Sequence, residues 1–226
     1  MTTEDHDGNA QTAAARRAVV MAGHSGDLSG VLEHVDHPAA EVRASALAAL
    51  ARLGDLDTPR LVAGLCDAEP VVRRRAALVA ARPTGDIGAA GAASDPMVTT
   101  ALLTAIDDPD HGVAEVAAFA LGERDHATMT ADVVARLSTM SSQHEDPLCR
   151  EAAVASLGSL GDEAGLPAVL AACSDKATVR RRAVLALAAF DGDEVTDALR
   201  EATGDRDLQV RQAAEDLLAI EEGEEV

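Results

Sequence analysis

The chain has 226 residues, 47% of them hydrophobic, and carries 39 acidic against 19 basic side chains for a formal net charge of −20. Trp and Tyr are absent and Phe occurs twice, so the apolar content is mostly Ala, Leu and Val, which suits closely packed helices and disfavours a β-sandwich. Such a field repels nucleic acid and anionic membranes and attracts a basic partner.

The acidity belongs to the whole body. Glu4, Asp5 and Asp7 at the start and Glu221, Glu222, Glu224 and Glu225 at the end supply only a minor part of it. Lys176 is the one lysine. This composition resembles that of proteins from salt-loving archaea, where carboxylates keep a chain hydrated and salt screens their repulsion. Cys66, Cys149 and Cys173 are widely spaced and form no CxxC pair, which argues against a disulfide framework or a zinc site. The acidic start does not read as a signal peptide. No apolar run reaches the roughly 18 residues of a membrane helix. A cytoplasmic location without membrane insertion is expected.

In chain order, residues 1–10 are polar and acidic and are expected to be disordered. Residues 11–35 read as a weak first helix pair. Units then follow at about 36–66, 67–106, 107–143, 144–173 and 174–203. A capping helix at 204–220 and an acidic tail at 221–226 close the chain. The units align on Val42, Val72, Val113, Cys149, Val179 and Val210. Four positions on stand Ala46, Ala76, Ala117, Ala153, Ala183 and Ala214. Eight positions on stand Leu50, Ala80, Leu121, Leu157, Leu187 and Leu218. Those offsets trace one face of an α-helix, with a small residue at its centre where a neighbour can approach closely. Asp36, Asp67, Asp108, Asp175 and Asp205 precede the anchors, where aspartate caps free N–H groups. Gly54 and Gly161 lie where a left-handed C-cap belongs. Second helices are expected in "PRLVAGLC" (59–66), "PMVTTALLTAI" (96–106), "ADVVARLSTM" (131–140), "GLPAVLAAC" (165–173) and "EVTDALREA" (194–202).

The pattern in "DAEPVVRRRAALVAA", "PLCREAAVASLGSLGD", "DKATVRRRAVLALAA" and "DRDLQVRQAAEDLLA" resembles the HEAT repeat, in the short form named after phycobilisome lyases. The resemblance covers about residues 11–220 and implies an all-α fold: a right-handed α-α superhelix of the HEAT/armadillo type, with about six and a half helical hairpins. First helices would line the convex side and second helices the concave side. It also implies a structural polar ladder of Asp36, Arg43, Asp67, Arg73, Asp108, Arg150, Asp175, Arg180, Asp205 and Arg211. Ala114 stands where the other units carry arginine, so the ladder should be interrupted there. The function implied is a non-catalytic scaffold or adaptor that binds one or more proteins. The alternative is a bilin lyase-like protein or an accessory subunit in metalloenzyme maturation.

No nucleophile, phosphate-binding or dinucleotide motif is present, so no catalytic residue and no cofactor is expected. His34 and His37 are three apart but lack a third ligand at suitable spacing, and no metal is expected. His111, His126 and His144 are expected in inter-helix turns. The cysteines read as small buried apolar residues. Extra residues at 82–96 and around 138–147 read as loops. In the arginine triplets, Arg73 and Arg180 recur with the repeat, whereas Arg74, Arg75, Arg181 and Arg182 do not. These four, with Arg60, Arg136 and Arg200 on second helices, are the candidate partner contacts. Thr99, Thr100, Asp132, Asp197 and Glu201 are expected to be exposed beside them. The chain lacks the continuous basic face with aromatic side chains that nucleic-acid-binding solenoids carry.

Overall fold

The structure, a computed structural model, describes residues 3–81, 95–124 and 130–224, with backbone alone for 3–7 and 221–224. Among the described residues there are thirteen α-helices and no strand. They fall into two compact units, Met1–Ala105 and Ile106–Val226.

The first unit holds α1 (Thr3–Ser25), α2 (Leu28–Leu32), α3 (Ala40–Leu53), α4 (Thr58–Leu65), α5 (Pro70–Ala80) and α6 (Pro96–Ala105). First helices α1, α3 and α5 pack side by side in one layer, and α4 packs on α6 in the other. The second unit holds α7 (His111–Gly122), α8 (Ala131–Gln143), α9 (Pro147–Leu160), α10 (Leu166–Ala172), α11 (Ala177–Leu187), α12 (Asp193–Ala202) and α13 (Leu208–Glu224). Here α7, α9, α11 and α13 form the first-helix layer, and α8 packs on α10 in the second-helix layer.

The helical face predicted from the offsets is the core face. Val42, Val113, Cys149 and Val179 are fully buried, as are the alanines four positions on. Leu50, Leu121, Leu157 and Leu187 complete the same face. Leu218 is only half-buried, because among the described residues no helix covers that side of α13. A unit of this kind buries its apolar face only against its neighbours.

Small residues set the spacing of the first-helix layers. A Cβ added at Gly23 would lie 2.7 Å from Ala49 Cβ, one at Gly122 would lie 2.7 Å from Ser156 Cα, and one at Gly158 would lie 2.7 Å from Ala186 Cβ. These glycines therefore permit a helix–helix approach that any side chain would block. Ser156, buried at this contact, donates its hydroxyl to Ala118 O at 2.8 Å.

Helix ends show where local chemistry acts. Gly54 (φ 77°) and Gly161 (φ 58°) close α3 and α9 in the left-handed region, which glycine enters without Cβ strain. Asp57, Asp110 and Asp146 cap α4, α7 and α9 by accepting backbone N–H groups. Asp67, Asp108 and Asp205 act earlier than expected. Each accepts the N–H two residues on, from Glu69, Asp110 and Asp207, so it closes the turn before the helix.

Three expectations change. Helix α1 starts at Thr3, within the segment read as disordered. The stretch 138–147 is mostly helix: α8 runs to Gln143, because Val133, Val134, Leu137, Met140 and Ser141 continue one buried stripe. Cys66 is exposed at the end of α4 and Cys173 is intermediate, so only Cys149 is buried as read. The loop expected at 82–96 lies, up to residue 94, outside the described residues, as does His126.

Candidate partner-binding surface

The junctions between repeats organise the surfaces beside them. Arg43 donates Nε and Nη2 to Asp67 Oδ2 and Oδ1 at 3.0 and 2.7 Å. Its Nη1 donates to the carbonyls of His37 and Pro38. Arg150 treats Asp175 in the same way at 2.7 and 2.8 Å, with the carbonyls of His144 and Glu145. Arg180 makes two 2.7 Å bonds to Asp205 and a third to Asp175 O. Arg73 Nη1 donates to the carbonyls of Asp67 and Ala68, and Arg211 Nη1 to that of Asp205. The guanidinium fork matches the carboxylate bidentately, a strong and directional pairing. Arg180 and Asp205 side chains are only 7% and 14% exposed. The Arg180 hydrogen bonds hold the Asp205 carboxyl down at about 2, and Arg43 and Arg150 likewise lower Asp67 and Asp175.

One position was misread by a single residue. Asp67, Asp108 and Asp205 each lie five before their anchor, and for Val42 and Cys149 that position is His37 and His144. Both rings take over the aspartate's local role: His37 Nδ1 accepts from Ala39 N at 3.0 Å and His144 Nδ1 from Asp146 N at 3.1 Å. Asp36 sits one residue earlier and is exposed. The offset of five shared by Asp67, Asp108 and Asp205 is the signal that finds the histidines.

At Ala114, which is fully buried, the junction is built differently. His111 Nε2 lies 2.9 Å from Glu145 Oε1 and Nδ1 lies 3.4 Å from Asp146 Oδ2. Its ring meets His144 edge-on at 5.2 Å. The unit that lacks the arginine is thus followed by the one whose junction aspartate is a histidine, and His111 supplies the contact across the repeat. The Leu148 N–H, with His111 as a lesser cause, lowers the Asp146 carboxyl below its ordinary range.

The remaining candidate cations are spread over both units. Arg74 and Arg75 lie on α5, and Arg74 is exposed. Arg181 and Arg182 are exposed on α11, with Arg182 Nη2 3.4 Å from Glu151. On the second helices, Arg60 pairs with Asp57, Arg136 with Asp107, and Arg200 with Asp197 at 3.2 Å. Thr100, Asp132 and Glu201 are exposed, whereas Thr99 is buried beside Val98 and Leu102 on the core side of α6.

Arg60, Arg136, Arg182 and Arg200 each pair with a local acid, and the groove between α10 and α12 is acidic. It has a volume of about 570 Å³ and is lined by Leu170, Cys173, Glu194, Asp197 and Glu201 among others. Burial pushes the Cys173 thiol up to about 11 and the Cys149 thiol up to about 12, the reverse of what a nucleophilic thiolate needs. In the first unit a smaller groove of about 260 Å³ is lined by Arg43, Arg60, Gly64 and Asp67 among others. The rings of His34 and His37 stack at 6.0 Å, and His34 Nδ1 lies 3.0 Å from Gly30 O. Among the described residues no group of three or more His, Cys, Asp or Glu side chains is placed to hold a metal ion.

The family model for HEAT repeats matches residues 99–178 and 140–219, together more than half of the chain. No curated protein matches it. The X-ray structure of YibA from Escherichia coli is similar with a TM-score of 0.62 and 19% identity, over 82% of this chain and 67% of that one. An engineered protein is similar with a TM-score of 0.62 and 20% identity, over 85% and 97%. A designed armadillo repeat protein in complex with the peptide (KR)4 is similar with a TM-score of 0.57 and 16% identity, over 85% and 98%. At these identities the solved structures speak to the solenoid fold alone. The family match goes further, and the chain belongs to the family of HEAT repeats.

Proposed function

We propose that the protein is a non-catalytic scaffold or adaptor, cytoplasmic in location, that holds a basic segment of a partner protein against its second-helix face and does not bind nucleic acid. HEAT and armadillo folds commonly mediate protein interaction, and no described helix is long and apolar enough to cross a membrane. The observation that carries the reading is the groove between α10 and α12. Glu194, Asp197 and Glu201 line it, and Arg200, 3.2 Å from Asp197, is 68% exposed. Its field adds to that of a chain with net charge −20, which draws a basic segment in and raises its on-rate. The designed neighbour in complex with (KR)4 lends the reading an example of a solenoid that holds a basic peptide. The bilin lyase-like or metalloenzyme-maturation alternative draws no support from this arrangement.

The test is binding of a labelled (KR)4 peptide to the full chain, followed by anisotropy over a salt series. Saturable binding that weakens with salt is expected. The triple variant E194Q/D197Q/E201Q should lower affinity by about tenfold, since each lost attraction is worth a few tenths to 1 kcal/mol. Equal affinity of the triple variant and the parent would sink the reading. Cross-linking mass spectrometry in the native cell would then name the partner.

A further inference from the structure

The first-helix face of the second unit carries a trough that the proposed function does not use. It has a volume of about 430 Å³ and crosses three helices. Phe119 and Glu123 line it from α7, Ala155 and Gly158 from α9, and Arg182 and Leu185 from α11. The trough exists because α9 presents only small residues there. Phe119 and Leu185 then stand above it, 44% and 40% exposed. The chain has two phenylalanines, and Phe190 is 5% exposed, so an outward Phe119 on a solvated helix layer calls for a cover.

We propose that this trough is an isologous contact with a second copy of the same chain, in which Phe119 of each copy enters the other's trough. Charge selects the occupant. A chain of net charge −20 repels its own kind over most of its surface. The trough is lined by one acid, Glu123, and one base, Arg182, and Arg182 is 43% exposed and only 3.4 Å from Glu151 of its own chain, so the trough is far less acidic than the rest of the surface and offers one charge of each sign to a second copy. A two-fold axis brings Arg182 of one copy to Glu123 of the other, and the reverse contact follows by symmetry. The aromatic side chain supplies the apolar area. One trough is less than the roughly 800 Å² per partner of a standard interface, so the dimer is weak and concentration-dependent. Salt tightens it, because the long-range repulsion is screened while the apolar contact is not. The second-helix face stays free in each copy, so the dimer is bivalent for the partner.

The test is sedimentation equilibrium of the full chain across micromolar concentrations, in low and in molar salt. A monomer–dimer equilibrium that tightens with salt is expected, and Phe119→Glu should abolish it. The charge reversals Glu123→Arg and Arg182→Glu should each weaken dimerisation about tenfold or more, since each homodimer then sets like charges together. An equimolar mixture of the two should dimerise again, because both cross-contacts become attractive. Arg182 also lies 3.4 Å from Glu151 of its own chain; the mixture retains that intramolecular change, so its rescue reports the contact between copies alone. Helix content by circular dichroism checks that each variant folds. Hydrogen exchange of the parent, concentrated against dilute, should show new protection in residues 117–124 and 182–189. A parent that stays monomeric throughout would overturn the proposal and leave the trough to a helix of another protein. A dimer that survives Phe119→Glu, or a mixture no better than its components, would overturn it equally.

Discussion

A guanidinium that bonds both oxygens of a carboxylate one repeat away, and the carbonyls of its own junction, joins two repeats and one turn with a single side chain. Breaking such a largely buried pair leaves a charge without its partner. Arg180→Ala should therefore destabilise the protein by about 3–5 kcal/mol in urea denaturation. Arg180→Lys keeps the charge and loses the fork, and should cost less. The pH dependence has a definite sign. The Asp205 carboxyl is lowered to about 2 in the folded chain, below the ordinary value near 3.9. Its stabilising share is complete above about pH 4 and is lost as pH falls toward about 2. Asp205→Asn should flatten that acid limb, read as the slope of unfolding free energy against pH. Exposure also sorts the thiols: in the native chain a maleimide should label Cys66 first and leave Cys149 untouched until unfolding, as intact mass would record.

At the scale of the helices, glycine decides how closely the first-helix layer packs. In an isolated helix Gly158→Ala would gain about 1 kcal/mol of propensity. Here the new Cβ would lie 2.7 Å from Ala186 Cβ and 2.9 Å from Ala186 Cα, and backbone cannot step aside as a flexible side chain can. Overpacking of this kind costs about 1–3 kcal/mol, so the substitution should be destabilising despite its better propensity. A melting temperature equal to or above that of the parent would show that α9 and α11 can separate at little cost. Leu157→Ala, on the buried face of the same helix, should cost about 2–5 kcal/mol through the cavity it leaves.

For the molecule as a whole, each repeat rests on its neighbours and the chain carries −20. Self-repulsion opposes the compact state and is screened over a Debye length that falls from about 10 Å at 0.1 M salt to 3 Å at 1 M. Thermal unfolding followed by circular dichroism should therefore shift upward between low and molar potassium chloride. A melting temperature unchanged by salt would mean that the local Arg–Asp and His–carboxylate pairings already balance the field.

By itself the sequence determined the period, the helix pairs and the buried face, because offsets of 0, 4 and 8 around Val42, Val113 or Cys149 are a local property of a 3.6-residue turn. It also determined the glycine C-caps at Gly54 and Gly161, which depend only on backbone freedom. The tertiary structure decided what depends on neighbouring surfaces. It set the junction register at His37 and His144, and it placed His111 between Glu145 and Asp146 where Ala114 leaves no arginine. It buried Thr99 and exposed Cys66, and it left Phe119 above a trough floored by Ala155 and Gly158. Periodicity assigns a residue to a face of its own helix. Whether that face is then covered depends on helices thirty residues away, and no single-helix pattern records that.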